Sequence, residues 1–123
     1  MTFEFEICEH KGLVSVFVSG TGNFQNGVEG LLRIANDTRF REGFNVLVDI
    51  CQLNYSPSLS ELRAFADVLT SLKDRCSGRT ALVVSNFLHF GLGNLLSRFL
   101  ELSGIQMRVF FSMQDATHWL SPA

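Results

Sequence analysis

Apolar and polar residues alternate from Thr2 to Cys8, where two phenylalanines and an isoleucine are separated by glutamates. A period of two predicts a β-strand with one face toward solvent. Glu9 to Gly12 is typical of a turn, and Leu13 to Ser19 is a second strand-like segment rich in valine. The pattern therefore predicts an antiparallel hairpin at the start of the chain.

Two later segments, Val46 to Ile50 and Thr80 to Ser85, are apolar without alternation. Such continuous runs are typical of parallel strands, which are buried on both faces. A charged connector, Asp37 to Phe44, precedes the first of them, and Met107 to Phe111 is predicted to be the last strand.

The segments between these strands have helical periodicity. The first helix, with Asn23 or Thr21 as its cap, is predicted to end near Ala35. Its interior glycines, Gly27 and Gly30, each weaken a helix by about 1 kcal/mol relative to alanine. We therefore expect this helix to depend on packing, with room for the close approach of another backbone or for local opening.

Ser56-Pro57-Ser58 and Glu61 predict the start of a second helix, and Gly78 lies beyond its end. A third helix is predicted from about Leu88 to Ser103. Its expected inward stripe is Leu92, Leu95, Leu96, Phe99 and Leu102. Ser112 opens a short fourth helix that ends at Trp119-Leu120. The order ββαβαβαβα predicts one α/β domain over residues 1–123 with right-handed crossovers.

Composition narrows the classes of partner. Hydrophobic residues make up 46% of the chain, charged residues 18%, and the net charge is −2 with no basic cluster. This balance argues against nucleic acid and against a polybasic membrane patch. The longest apolar run is shorter than the roughly 20 residues of a membrane span. Three widely spaced cysteines (Cys8, Cys51, Cys76) without a secretory signal predict reduced thiols and a cytoplasmic protein.

No set of residues has the spacing of a catalytic or metal site. The three histidines share no metal-ligand spacing with each other or with a cysteine, so neither a metal nor a cofactor is expected. Cys51 in a strand is more often a small buried hydrophobe than a nucleophile. The carboxylates of Asp37, Asp49 and Asp115 form no adjacent pair, and Asp49, at a strand end, is expected to accept hydrogen bonds from loop amides. Gly20 to Gln25 is an incomplete dinucleotide fingerprint. The sequence therefore favours a protein that is not an enzyme.

The ordered elements resemble the SpoIIAA-like family, which is related to the STAS domain of anti-sigma-factor antagonists and sulfate transporters. The matching segments are Lys11–Val14, Asp37–Phe40 with Gly43, Asn45–Asp49, Arg79–Ser85, Phe90–Leu92, and Val109–Phe110 with Ala116–Leu120. The resemblance implies a five-stranded mixed sheet in which the N-terminal hairpin is antiparallel and the remaining strands are parallel. It also implies four helices, mainly on one face. STAS proteins bind partner proteins and can be switched by serine phosphorylation, and structurally similar CRAL-TRIO domains hold apolar ligands.

The first candidate site follows from this resemblance. In STAS antagonists the phosphorylated serine starts the helix after the second buried strand, and the same loop length counted from Asp49 ends near Ser58. Ser56, Ser58 and Asp49 are therefore candidates for a partner or phospho-switch site, although the segment lacks the family's neighbouring aspartate and glycine. The alternative is capping of the second helix, by Ser56 before Pro57 or by Ser58 paired with Glu61.

The second candidate site is apolar. Phe87, Leu88 and Phe90 lie at a strand-to-helix junction, where chains are usually polar. If exposed, they would bind a partner, a lipid or a second copy of the chain; the alternative is ordinary core packing. Phe24 is grouped with them, because the glycines of the first helix would let that helix act as a displaceable cover over an apolar cavity.

Two hypotheses of function follow. The first is a cytoplasmic, non-enzymatic STAS-like domain that binds a protein partner, or itself as a homodimer, around Ser58 and Phe87 to Phe90. The second is a carrier or membrane-surface binder of an apolar small molecule or lipid.

Overall fold

The structure is a computed structural model that describes residues 1–75 and 77–121. The strands are β1 (Thr2–Cys8), β2 (Leu13–Thr21), β3 (Asn45–Asn54), β4 (Arg79–Val83) and β5 (Gln106–Phe110). The helices are α1 (Phe24–Ala35), α2 (Leu59–Ser71), α3 (Phe87–Glu101) and α4 (Met113–Leu120). Cys76, one of the thiols predicted to be reduced, lies outside the described residues.

The strands form one sheet in chain order, β1-β2-β3-β4-β5. β1 and β2 pair antiparallel, with Phe3 opposite Val18. Each later strand runs parallel to its predecessor. The predicted α/β fold class, with its antiparallel hairpin, parallel remainder and four helices, is therefore confirmed.

Strand β3 is longer than predicted. Phe17 of β2 pairs with Asp49, whereas Ser19 pairs with Gln52, so β3 contains one extra residue here. This is the count of a β-bulge. Asp49 Oδ1 accepts a hydrogen bond from the backbone amide of Cys51 at 2.9 Å across the irregularity. The prediction that Asp49 lies at a strand end was wrong, because the strand continues to Asn54 beyond a bulge at Ile50 and Cys51.

The two faces of the sheet have separate cores. On one face, the valines of β2 (Val14, Val16 and Val18) pack with Ile34 of α1. On the same face, α2 and α3 meet at Ala66 and Leu100, against which Met107 of β5 packs. On the other face, Ala116 and Leu120 of α4 pack on Ala81 and Val83 of β4. Because apolar layers cover both sides, the central strands have apolar residues at successive positions.

Side-chain caps start the helices. The side chains of Asn23, Ser58, Asn86 and Ser112 each accept a hydrogen bond from the backbone amide three residues later. Such a bond satisfies one of the amides left unpaired at a helix start.

The predicted inward stripe of α3 needs one correction. Leu102 is 90% exposed, whereas Leu100 is 1% exposed. The helix ends at Glu101, so Leu102 falls beyond its last turn. Counting back from Leu100 in helical steps leads to Gly93 and His89, which are also buried.

The interior glycines of α1 make room for aromatic rings. A Cβ on Gly30 would overlap the ring of Phe3, and one on Gly27 would lie 2.8 Å from the ring of Phe65. The close neighbours are therefore side chains, where the sequence suggested another backbone. Both rings belong to the apolar layer between the sheet and the helices.

Candidate functional site

An apolar cavity of about 220 Å³ lies between the sheet and helices α1, α2 and α3. Its lining is drawn from β1, β2, β3, β4 and β5 on one side and from the three helices on the other. Among the described residues that line it, none is Asp, Glu, Lys or Arg, and the side chains with hydrogen-bonding groups are Tyr55, Thr80 and His89. A site with this lining accepts an apolar body and at most a few polar contacts.

Tyr55 lines this cavity, but its hydroxyl is buried against the protein and is not exposed to the cavity. Tyr55 Oη is buried and has no hydrogen-bond partner within residues 1–75 and 77–121. Burial, with a smaller contribution from the nearby Glu61 carboxylate, raises the pKa of Tyr55 to about 12. Glu61 Oε1 is itself engaged as the acceptor for the backbone amide of Ser58 at 2.9 Å. The phenol therefore stays protonated at neutral pH, and the Glu61 carboxylate is close enough to compete for its hydrogen.

His89 is buried beside Tyr55 and its ring is fully engaged. Nε2 lies 2.9 Å from the carbonyl oxygen of Tyr55, so Nε2 carries a hydrogen and donates it. Nδ1 lies 3.3 Å from Asn86 Nδ2 and accepts from it. Ser56 Oγ is a more distant neighbour of Nε2 at 3.3 Å. With both nitrogens occupied by the protein, His89 positions the loop and has no free nitrogen to act as a base or ligand.

The serines of the first candidate site divide into two roles. Ser58 is the N-cap of α2: its Oγ accepts from the Glu61 amide at 3.2 Å, and Glu61 Oε1 accepts from the Ser58 amide, which completes a capping box. Ser56 lies against His89. Asp49 lies on the opposite face of the sheet, beside Phe17. The structure therefore does not bring Asp49 together with the two serines.

The second candidate site is an exposed aromatic surface at the carboxyl ends of β4 and β5. Phe87 is 85% exposed and Leu88 is 59% exposed. The ring of Phe111, which is 47% exposed, stacks on Phe90 with centroids 4.7 Å apart and meets Phe87 edge-on at 5.5 Å. We call Phe87, Leu88, Phe90 and Phe111 the edge patch.

The edge patch differs at two residues from the apolar site that the sequence predicted. Phe24 packs on Phe65 of α2, with ring centroids 4.7 Å apart, and is not among the residues that line the cavity. Phe111 was missed, although β4 and β5 are parallel neighbours and the residue after β5 must therefore lie near the start of α3.

Cys51 is poorly suited to nucleophilic chemistry. Burial, with a smaller contribution from the Asp49 carboxylate, raises the pKa of its thiol to about 11. Over the part of the chain that the structure describes, no three His, Cys, Asp or Glu side chains are grouped to hold a metal ion. Nor, over the same residues, is any helix long and apolar enough to cross a bilayer.

A solved structure shares this fold. The chain is similar to an uncharacterized protein of the DUF3478 family from Shewanella loihica PV-4, which has a SpoIIAA-like fold; the TM-score is 0.64 and the identity 16%, over 98% of this chain and 93% of that one. The chain matches no protein-family model and no curated protein. The molecule is thus an α/β domain with the SpoIIAA-like fold. This confirms the resemblance seen in the sequence at the level of the fold, and at this identity the likeness carries no function.

Proposed function

We propose that the chain is a non-enzymatic, cytoplasmic binding domain that holds an apolar small molecule between its sheet and helices α1 to α3. The apolar cavity of about 220 Å³ carries this proposal. It is lined by residues of the sheet and of three helices, so a ligand there would contact both layers of this core.

The free energy of an empty cavity supports a bound ligand. An unfilled cavity destabilises a protein by roughly 24 cal/mol per Å³. For about 220 Å³ this amounts to about 5 kcal/mol, which is an upper bound here because the cavity is partly open to solvent. A ligand that fills the space restores the lost contacts. Since a cavity of about 150 Å³ accepts benzene, this one would accept roughly nine non-hydrogen atoms.

The polar groups near the cavity support binding rather than catalysis. A reaction would need a nucleophile or base with a free reactive atom. The pKa of Tyr55 is raised to about 12, so its hydroxyl is not a base at neutral pH. His89 has both ring nitrogens engaged. The polar groups near the cavity are therefore suited to holding a molecule and lack a reactive atom for catalysis.

Neighbouring residues of β3 provide a matched test. Val48 lines the cavity, whereas Leu47 packs near α4 on the opposite face. Val48→Phe is expected to fill the cavity and abolish binding of an apolar fluorescent probe or of ligands retained in native mass spectrometry. Leu47→Phe should leave binding intact. The proposal is wrong if the folded wild type neither retains an apolar molecule on purification nor binds the apolar probe.

A second candidate function rests on the edge patch. Phe87 is 85% exposed and packs edge-on against Phe111 in a surface cluster of large apolar groups, a type of surface that marks binding sites. The partner is a protein, and a second copy of this chain is the case that can be tested at once. A stable dimer would bury more than about 1,000 Å² there.

Sedimentation velocity over a concentration series tests the second candidate. Phe87→Asp is expected to convert a dimer to a monomer. Leu102→Asp is the matched control, because Leu102 is also an exposed apolar side chain, at 90%, but lies at the other end of α3. A monomer at every concentration for the wild type would exclude self-association at the edge patch.

A further inference from the structure

We propose that the outer face of β1 to β3, on the side of the sheet where α4 packs, is a docking surface for a basic amphipathic helix of a partner protein. An open groove of about 550 Å³ lies there. Its apolar and acidic side chains are Phe17, Leu47, Met113, Glu4, Glu6 and Asp49, which we call the acidic groove. This surface is separate from the cavity, which lies on the opposite face of the sheet.

The two faces of β2 differ in what covers them. Val14, Val16 and Val18 pack in the core with α1 and are at most 4% exposed. Ser15 and Phe17 point the other way and are exposed, Phe17 by 37%. On that side α4 packs on β4 and β3. No helix of the described chain therefore covers the outer face of β1 or most of the outer face of β2.

The uncovered strip beside α4 is about one helix wide. Neighbouring strands are about 4.8 Å apart, so the middle of β1 and β2 lies about 10 Å from the middle of β3 and β4. Packed helices have axes about 8–10 Å apart. A partner helix therefore fits on β1 and β2 beside α4, in contact with Phe17, Leu47 and Met113.

The strand register places a carboxylate on each side of the exposed ring. Glu4 of β1 pairs with Phe17, and Phe17 pairs in turn with Asp49 of β3. In the adjacent row Glu6 pairs with Ser15. No Lys, Arg or His is among the described residues that line the groove, and within those residues none of the three carboxylates forms a salt bridge. A Lys or Arg side chain laid over the ring would contact its face and a carboxylate together.

The cationic groups near β1 do not neutralise the groove. The ammonium of Met1 donates to the Thr21 carbonyl at 2.7 Å, and Arg33 Nη2 donates to the Phe3 carbonyl at 3.0 Å. Neither cation belongs to a residue that lines the groove. Clustered carboxylates repel anionic lipid headgroups and nucleic acid and attract Lys and Arg. The occupant is therefore a basic segment of a protein, with an apolar stripe that contacts the exposed ring.

Three dye-labelled helical peptides of about 14 residues test the proposal by fluorescence anisotropy at about 50 mM salt. The first has a leucine stripe bordered by arginines. The second has glutamates in place of the arginines, and the third has serines in place of the leucines. We expect the first to bind at least about tenfold more tightly than either of the others. Its affinity should fall as salt is added, because part of the attraction is electrostatic.

Variants of the protein place the peptide on the groove. Phe17→Thr removes the ring but keeps a good strand former, and it should weaken the first peptide at least about fivefold. Glu4→Gln with Glu6→Gln should weaken it about fivefold, because two charge pairs are lost. Glu29→Gln with Glu101→Gln is the matched control. It removes the same formal charge from exposed positions on α1 and α3 and should change the affinity less than about twofold.

Several outcomes would overturn the proposal. It is wrong if the folded wild type binds none of the peptides at up to about 1 mM, or binds the second or third as tightly as the first. Equal weakening by the two glutamine pairs would show attraction to net charge alone. Loss of binding in Phe87→Asp but not in Phe17→Thr would place the peptide on the edge patch.

Sedimentation velocity separates a second copy from a partner protein. If the wild type self-associates and Phe17→Thr abolishes this, the occupant is another copy of the chain and the proposal is wrong. Val48→Phe, which fills the cavity, should leave binding of the first peptide unchanged. The groove and the cavity function are therefore tested independently.

Discussion

The imidazole of His89 and the carbonyl of Tyr55 are joined by a hydrogen bond of 2.9 Å. The bond links the loop before α2 to the first turn of α3, so that two neighbouring strand-to-helix junctions hold each other in place. His89 is only 5% exposed. A buried polar side chain of this kind stabilises a fold when all its groups are paired, and its removal leaves the partners unpaired.

His89→Ala is expected to lower the free energy of unfolding by about 2–4 kcal/mol, because it leaves the Tyr55 carbonyl without its donor and opens a void. Urea denaturation measures the change. His118→Ala is the control, since His118 is exposed on α4 and should change stability by less than about 0.5 kcal/mol. Equal effects of the two substitutions would show that the buried hydrogen bond contributes nothing.

A pair of helical glycines should respond to alanine in opposite directions. Alanine at Gly30 gains helix propensity, but its Cβ would overlap the Phe3 ring, so we expect a net destabilisation of about 1–3 kcal/mol. Gly91 in α3 has open space within 4 Å of where an alanine methyl group would lie, so Gly91→Ala should stabilise by about 0.5–1 kcal/mol.

Thermal or urea unfolding of both glycine variants provides the measurement. Stabilisation of both would mean that Phe3 moves aside freely and that the first helix does not depend on a glycine at position 30.

The order of strands and helices could be predicted from the sequence because each segment has its own hydrophobic periodicity. Alternation in β1 and continuous apolar runs in β3 and β4 identified strands. The end of β3 was missed for a physical reason: the bulge after Asp49 shifts the alternation by one residue, so Gln52 and Asn54 resemble the polar residues of a loop. A bulge is visible only once the neighbouring strand fixes the register.

The candidate site was less predictable because its parts are distant in the chain. The signal for His89 was present, since it lies on the same helical stripe as Gly93 and Leu100. The unpaired hydroxyl of Tyr55 had no such signal, because pairing depends on which side chains the folded loop brings near. Exposure of Phe87 likewise depends on whether another element covers it, and local sequence does not determine that.

Ser58 should act first as a helix cap. Ser58→Ala is expected to lower the free energy of unfolding by about 1 kcal/mol, because it removes the acceptor for the Glu61 amide. Ser58→Asp should retain stability, since aspartate caps equally well and suits the positive end of the helix dipole.

Urea denaturation of both Ser58 variants tests this role. Ser60→Ala removes the contact of 3.2 Å between Ser60 Oγ and Ser58 Oγ but keeps the cap, so it serves as the comparison inside the helix, with an expected change below about 0.5 kcal/mol. If Ser58→Ala were neutral in stability, the capping role would be refuted, and the phospho-switch interpretation of this serine would gain weight.

The Cys51 thiol should be slow to alkylate in the native protein. Its pKa is raised to about 11, first by burial and then by the Asp49 carboxylate. At about pH 8 the thiolate fraction is then about 100-fold below that of an unperturbed cysteine, and iodoacetamide labelling should slow in proportion. Peptide mapping by mass spectrometry reports Cys51 separately from the other cysteines.

The pH dependence of Cys51 labelling follows from the upward direction of its pKa shift. Labelling of native Cys51 should keep accelerating up to about pH 11, whereas in concentrated urea it should level off near pH 9. Because the native state holds the proton more tightly, the contribution of Cys51 to stability is complete below about pH 9 and is lost as the pH rises to about 11. Asp49→Asn keeps an acceptor for the Cys51 amide but removes the negative charge, so labelling should become faster. A native labelling profile that levels off near pH 9 would contradict a raised pKa for this partly buried thiol.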